Sequence, residues 1–173
     1  MLDLLIAGSG PAGLSAAVYA SNAMLDFVVV EKYPMSGGQM LNTIDINNYL
    51  GFELTDGFTL GQAFRTHAEK AGAKFVNDEI KSIEKLDGGY KVVCNSQDFE
   101  TKTIIFALGA NPRKLSVKGE KEFAGKGVSY CATCDGNFFR GKATAVVGGG
   151  DVALELGGIG PDLVLLGLFL GAL

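Results

Sequence analysis

The chain opens on an apolar run, residues 2–7, broken only by Asp3 and closed by Gly8. Such a run bounded by glycine predicts a strand buried on both faces. From Pro11 to about Ala23, Ala and other small residues at helical spacing predict a helix. Residues 26–31 (DFVVVE) then predict a β-branched second strand. Strand, glycine turn, helix and strand make a βαβ unit, with parallel strands and a right-handed crossover. Residues 33–58 have weak periodicity and many turn formers, the profile of loop structure that faces a ligand. Thr59 is expected to N-cap a helix that runs to about Ala71 and is ended by Gly72. Residues 73–77, 79–86 and 90–95 predict strands, with Asp87-Gly88-Gly89 as a hairpin turn. Residues 103–108 (TIIFAL) predict a further buried strand leading into Gly109, and residues 143–147 (ATAVV) one that feeds Gly148-Gly149-Gly150-Asp151.

The expected fold class is therefore α/β. A Rossmann-like domain with a parallel sheet and a β-meander occupies residues 1–112. The start of a second, incomplete nucleotide-binding domain follows in residues 113–173. Asn111-Pro112 marks the boundary, because proline interrupts regular structure.

Composition narrows the function classes. Fifteen basic against nineteen acidic residues give a net charge of −4, which excludes the clustered positive surface that nucleic acid requires. The apolar stretch 163–173 is eleven residues long, against about 20 for a membrane-crossing helix, so no membrane partner is expected. The N-terminus carries no basic segment of the secretory kind. Three cysteines make an odd, low count that argues against a secreted disulfide scaffold and for a cytoplasmic location. Glycine, 25 of 173 residues, is about twice its usual share of roughly 7%, and it falls in clusters that mark tight turns and close approach to ligands.

Three motifs carry chemistry. Gly8-Ser9-Gly10-Pro11-Ala12-Gly13 is G-x-G-x-x-G between a strand and a helix. Gly8 permits the turn, Gly10 lets a pyrophosphate approach the backbone, and Gly13 allows close helix–strand packing. Glu31, eighteen residues past Gly13, can accept hydrogen bonds from both ribose hydroxyls and would repel a 2′-phosphate. FAD or NAD therefore fits better than NADP, and a ligand-free glycine turn is the weaker reading. Cys131-Ala132-Thr133-Cys134 is C-x-x-C followed by Asp135, two thiols able to close a small disulfide loop beside a proton carrier. Zinc would need two more ligands, and only Cys94 and His67 remain, without paired spacing. An inert pair is the other reading; beside two nucleotide-binding turns, the redox reading is preferred. Gly148-Gly149-Gly150-Asp151-Val152-Ala153 fits G-x-G-x-x-A, but glycines from 157 onward leave only residues 152–156 for its helix. Cys94 reads as a small buried hydrophobe, and His67 as part of a solvated helix face.

In this order the three motifs resemble the low-molecular-weight thioredoxin reductases of the pyridine nucleotide-disulfide oxidoreductases. The resemblance covers about residues 2–156 and includes Ser36-Gly37-Gly38-Gln39, Asn47-Asn48-Tyr49-Leu50-Gly51 and Phe106-Ala107-Leu108-Gly109-Ala110. Its most specific element is the Cys131–Cys134 motif about a dozen residues before Gly148. The resemblance implies that residues 1–112 are the N-terminal part of an FAD-binding domain. Gly8, Gly10, Pro11, Ala12 and Gly13 would hold the pyrophosphate and Glu31 the ribose, with Lys32 a further cofactor-binding residue. Gly38, Gln39 and Asn48 would flank the flavin, and Ala107 and Gly109 would close over the FAD. Gly148, Gly150 and Asp151 would form the turn of an NADPH site. Cys131 would attack the disulfide of thioredoxin or a similar protein, Cys134 would face the flavin, and Asp135 would be the general acid/base. Electrons would pass from NADPH through FAD to the cysteine pair, in a homodimer.

This chain departs from the family pattern. The second half of the FAD domain and the basic cluster for the NADPH phosphate are missing, and the chain reads as abbreviated. Leu108 stands where the family has Thr, and Leu50 where it has Pro. Reduced ferredoxin is an alternative donor that needs no such cluster. A flavin-binding module that pairs with another chain and catalyses nothing is the reading from a different class.

Overall fold

Strand β1 (Leu2–Ala7) is the centre of the sheet, with β2 (Phe27–Glu31) parallel on one side and β6 (Phe99–Phe106) parallel on the other. The computed structural model describes residues 1–111, 113–124, 126–131, 141–148 and 163–166. They divide into two compact units, Met1–Asn111 and Pro112–Leu173. In the first unit six strands run in the order β3-β2-β1-β6-β5-β4. Here β3 is Phe75–Asn77, β4 is Ile80–Leu86 and β5 is Gly89–Cys94. β3 extends the parallel half, whereas β4, β5 and β6 form an antiparallel meander.

Helix α1 (Pro11–Asn22) joins β1 to β2, and α2 (Gly57–Lys70) leads into β3. Alternation along β1 builds the two halves of the core. Leu4 and Ile6 pack with Leu14, Ala17 and Ala20 of α1, Val29 of β2 and Ala68 of α2. Leu5 and Ala7 point to the opposite face, where Val28, Val30, Val92 and Cys94 cover them. The meander thus folds over one face of the parallel strands while the helices cover the other, which explains why β1 is apolar at nearly every position.

Two sequence expectations need correction. The N-cap of α2 is Asp56, not Thr59. The Asp56 carboxylate accepts from the Thr59 backbone N–H at 2.8 Å and from its hydroxyl at 2.7 Å. Both residues are good caps, and with Asp56 in that place the helix begins at Gly57, three residues earlier than a Thr59 cap would set it. The strand expected at 103–108 runs from Phe99 to Phe106 and is not fully buried, with Ile105, Phe106 and Leu108 exposed. β6 is shared along its length, residues 99–101 pairing with β5 and residues 101–106 with β1. Past Thr101 its second edge carries no strand among the described residues, so an apolar run that reads as buried on both faces is covered on one.

In the second unit β7 (Thr144–Val147) pairs in parallel with β8 (Leu163–Leu166). Buried Glu120 accepts from the backbone N–H groups of Leu115 (3.0 Å) and Ser116 (2.6 Å). The short helix expected at 152–156 lies outside the described residues.

Candidate functional site

The carboxyl ends of β1, β2 and β6 meet where the chain order of the sheet reverses about β1, the place where open α/β sheets bind ligands. Three loops converge there. The first is the turn from β1 to α1. Gly8 donates to the Val30 carbonyl at 2.8 Å and has φ +101, and a Cβ on it would overlap the Ala107 carbonyl oxygen. Gly13, in the first turn of α1, would drive a Cβ into the Gly8 carbonyl. Both glycines are required by the protein's own packing.

Gly10 is different. Its backbone is extended (φ −70, ψ −179), and the nearest atom to a Cβ there would be Gly38 Cα at 3.9 Å. Gly10 is also the N-cap of α1, a position where Ser, Asp or Asn would gain a capping hydrogen bond. No side chain caps this helix, Pro11 sits at its start and its first turn has no acid. The leading amides therefore have no intrahelical acceptor and sit at the positive end of the helix dipole. Pro11 and Ala12 are exposed beside it.

Glu31, the last residue of β2, borders this turn. One carboxylate oxygen accepts from the Ser9 N–H (2.7 Å) and hydroxyl (2.9 Å), and the other from the Tyr33 N–H (3.0 Å). Asn77 pins the same strand end by donating to the carbonyls of Glu31 (2.8 Å) and Tyr33 (2.9 Å). Three of about four lone-pair directions of Glu31 are thus in use. The oxygen that faces Tyr33 accepts only one of these bonds and keeps room for a further donor. The exposed Lys32 side chain lies over the Tyr33 ring at 4.8 Å. An open hollow of about 420 Å³ adjoins this strand end, between Tyr33, Asn77 and Ser96.

The second loop, Ser36-Gly37-Gly38-Gln39, crosses the mouth of the turn. Gly37 donates to the Ser9 carbonyl at 2.9 Å. Gly38 (φ +57) comes so near that its Cβ would stand 3.3 Å from Gly10 Cα. The third loop follows β6. Half-buried Ala107 donates to the Ala7 carbonyl at 2.8 Å, and Gly109 has φ +68. Gln39 ties the two loops together, its side-chain amide donating to the Ala110 carbonyl (3.1 Å) and Asn111 Oδ1 (2.5 Å). Asn48 is exposed on an excursion closed by the Ile46–Thr55 bridge. None of the described hydrogen bonds joins it to the glycine turn.

Ser9 and Asn77 escape a sequence reading, and Ser36 enters it only as part of the Ser36-Gly37-Gly38-Gln39 segment, without a role of its own. Ser9 is one of the free positions of the glycine motif, yet it is fully buried and holds Glu31 in place. A small polar residue inside an otherwise apolar and glycine turn is the available signal. Nothing local marks Asn77, because its role depends on β3 pairing beside β2.

In the second unit Cys131 is half-buried and disulfide-bonded. Its N–H donates to the Ser129 hydroxyl at 3.1 Å, and that hydroxyl donates to the Cys131 carbonyl at 3.2 Å. Gly148 ends β7 with φ +127. Cys134, Asp135, Gly150 and Asp151 lie outside the described residues. Cys94 is a free, buried thiol whose burial, reinforced by the charges of Asp78 and Asp98, pushes it up to about 11. It is protonated at neutral pH and is no nucleophile. His67 is exposed on α2. Among the described residues no three His, Cys, Asp or Glu side chains gather as a metal site, and no helix is long and apolar enough to cross a membrane.

Residues 2–163 match the family of pyridine nucleotide-disulphide oxidoreductases. A thioredoxin reductase of Bacillus subtilis is 48% identical over 157 residues, covering 90% of this chain and 49% of that protein. The crystal structure of thioredoxin reductase from Streptococcus pyogenes superposes with a TM-score of 0.80 at 40% identity, over 94% of this chain and 54% of that one. A ferredoxin-flavin thioredoxin reductase from Clostridium acetobutylicum superposes with a TM-score of 0.59 at 30% identity, over 94% and 57%. The chain spans about half the length of the curated relatives it matches.

Proposed function

The chain belongs to the pyridine nucleotide-disulphide oxidoreductases, and from that premise we propose that it carries the FAD site and the redox cysteine pair of a thioredoxin reductase. The observation that carries this reading is Gly10. The fold leaves room for a side chain there and capping would favour one, so the space is kept for a ligand. An uncapped helix start without acids favours an anion, and the pyrophosphate of FAD is such a group.

The amides around Gly10, Ala12 and Gly13 would hold the pyrophosphate, with Gly8 and Pro11 shaping the turn. Glu31 would accept from the ribose, and Lys32 would border the adenosine end at the adjoining hollow. Gly38, Gln39, Asn48, Ala107 and Gly109 would line the flavin end. On this proposal residues 1–112 are the FAD-binding part, and residues 113–173 hold the redox cysteines and the start of an NADPH-binding fold with Gly148, Gly150 and Asp151 at its turn.

Bound FAD would relay two electrons from NADPH to the Cys131–Cys134 disulfide. The reduced Cys131 thiolate then attacks a disulfide of a thioredoxin-like partner and forms a mixed disulfide. Cys134 attacks the Cys131 sulfur, restoring the internal disulfide and releasing the partner as a dithiol. Asp135 carries the protons. The partner gains two electrons and two protons, which balances the oxidation of NADPH with one proton from solvent. We place the protein in the cytoplasm as a homodimer.

The similarity to a ferredoxin-flavin enzyme supports reduced ferredoxin as a second reading for the donor. One experiment separates them. The purified 173-residue chain is loaded with FAD and mixed anaerobically with NADPH or with reduced ferredoxin. Loss of the yellow flavin band with NADPH is expected. Bleaching by ferredoxin alone assigns that donor, and bleaching by neither leaves a flavin-binding module. A chain that takes up no flavin ends the proposal. In a bleaching preparation, Cys131→Ser is expected to abolish reduction of a protein disulfide while flavin reduction persists.

A further inference from the structure

Helix α2 presents one face, residues 57, 61 and 65, to the loop that crosses the mouth of the glycine turn. Gly57 is in backbone contact with Met40, since a Cβ there would overlap the Met40 carbonyl. One turn on, a Cβ at Gly61 would stand 3.2 Å from the Ser36 carbonyl oxygen and 3.4 Å from Gly37 Cα. One turn further, Arg65 Nη1 donates to the Ser36 hydroxyl at 3.0 Å. Ser36 is buried, and Gly37 and Gly38, both at positive φ, have no side chains with which to hold themselves. The loop therefore takes its position from its anchors.

Arg65 is itself fixed in three directions. Its Nε donates to Glu69 at 2.7 Å, its guanidinium lies 3.4 Å from the centroid of the Phe75 ring, and Nη1 reaches Ser36. A lysine ammonium has no planar fork, so it cannot lie flat on the ring with its donors fixed toward Ser36 and Glu69 in that plane.

We infer that Arg65 is a positioning residue for the cofactor site. Through Ser36 it sets how closely Gly38 approaches Gly10, and so the width of the slot at the start of α1. The role rests on the reading of that slot as the FAD pyrophosphate site. It assigns to α2, outside all three of the sequence motifs, control over cofactor affinity.

The test titrates FAD into the flavin-free 173-residue chain, as wild type and as Arg65→Met, Arg65→Lys, Ser36→Ala and Glu69→Gln. Arg65→Met, Arg65→Lys and Ser36→Ala should each weaken binding roughly tenfold, the size of one hydrogen bond to a charged group. Combining Arg65→Met with Ser36→Ala should add little, because both remove the same link. Glu69→Gln, which cuts only the ion pair, should stay within about twofold of wild type on the same scale. Without flavin, hydrogen exchange at the Gly37 amide, bonded to the Ser9 carbonyl, should accelerate in Arg65→Met and Ser36→Ala while β1 amides remain protected.

If Arg65→Met does not fold, Ser36→Ala decides alone, since it deletes one hydroxyl. A wild type that binds FAD alongside an Arg65→Met and a Ser36→Ala of equal affinity overturns the role and leaves the FAD reading standing. Equal loss in Glu69→Gln overturns it too, by showing that helix stability is what matters. A wild type that binds no FAD overturns both.

Discussion

Two glycines three residues apart answer to different demands. Gly13 lies in a helix, where Ala is favoured by about 1 kcal/mol on propensity alone, yet its Cβ would overlap the Gly8 carbonyl. Overpacking of that kind costs about 1–3 kcal/mol, so Gly13→Ala should destabilise the chain, read as a lower urea midpoint. Gly10→Ser, whose Cβ meets nothing closer than 3.9 Å and whose hydroxyl can cap α1, should keep or raise that midpoint while FAD binding weakens at least roughly tenfold. Equal effects of both substitutions on stability would show that Gly10 serves packing and not a ligand. Glu31 is legible in the sequence as an acid at the right spacing. That Ser9 and Tyr33 already occupy much of its carboxylate is not, because those bonds exist only once the turn has closed.

Among the elements, α2 shows how a boundary is decided by one hydrogen-bond pattern. Both Asp56 and Thr59 are plausible caps in sequence, and the Thr59 side chain instead satisfies the Asp56 carboxylate. These bonds from Thr59 hold the Asp56 carboxyl below its ordinary 3.8. Asp56→Ala should lower the thermal midpoint by about 5 °C, and Asp56→Asn, which can still accept at the cap, should recover most of that loss. Because α2 carries Gly57, Gly61 and Arg65 against the loop, fraying of its first turn should also loosen FAD binding. β6 teaches the converse. Its apolar content announces a strand, but how much of it is covered depends on which neighbours pair with each stretch.

At the scale of the whole Met1–Asn111 unit, Asp78 fastens the meander to the parallel strands. Its buried carboxylate accepts from Glu79 (2.8 Å), Asn95 (3.0 Å) and Ser96 (2.9 Å), joining the end of β3 to the turn between β5 and β6. Burial alone would raise its pKa, but the donors, Ser96 foremost, outweigh it and hold the group below 3.8. A carboxyl whose folded value is depressed adds stability above its unfolded value and loses it as pH falls through the folded one. Urea midpoints should therefore be flat from neutral pH down to about 4 as far as this group is concerned, and fall below that. Asp78→Asn should start lower at pH 7 and lose less on acidification. A variant with the same slope as wild type would show that other carboxylates govern the acid limb.

The sequence by itself determined the β1–α1–β2 unit, the glycine turn, the acid that borders it and the C-x-x-C pair. Each of these is written in neighbouring residues through spacing, backbone freedom or covalent chemistry. Tertiary structure alone decided that Ser36 would hang from Arg65 and that Gln39 would bind the end of the β6 loop. It also decided that Asn77 and Ser9 would brace Glu31 from two sides. Those contacts join residues 22 to 72 positions apart, and a hydrogen bond at that separation is formed only after packing has set both partners within 3 Å or so.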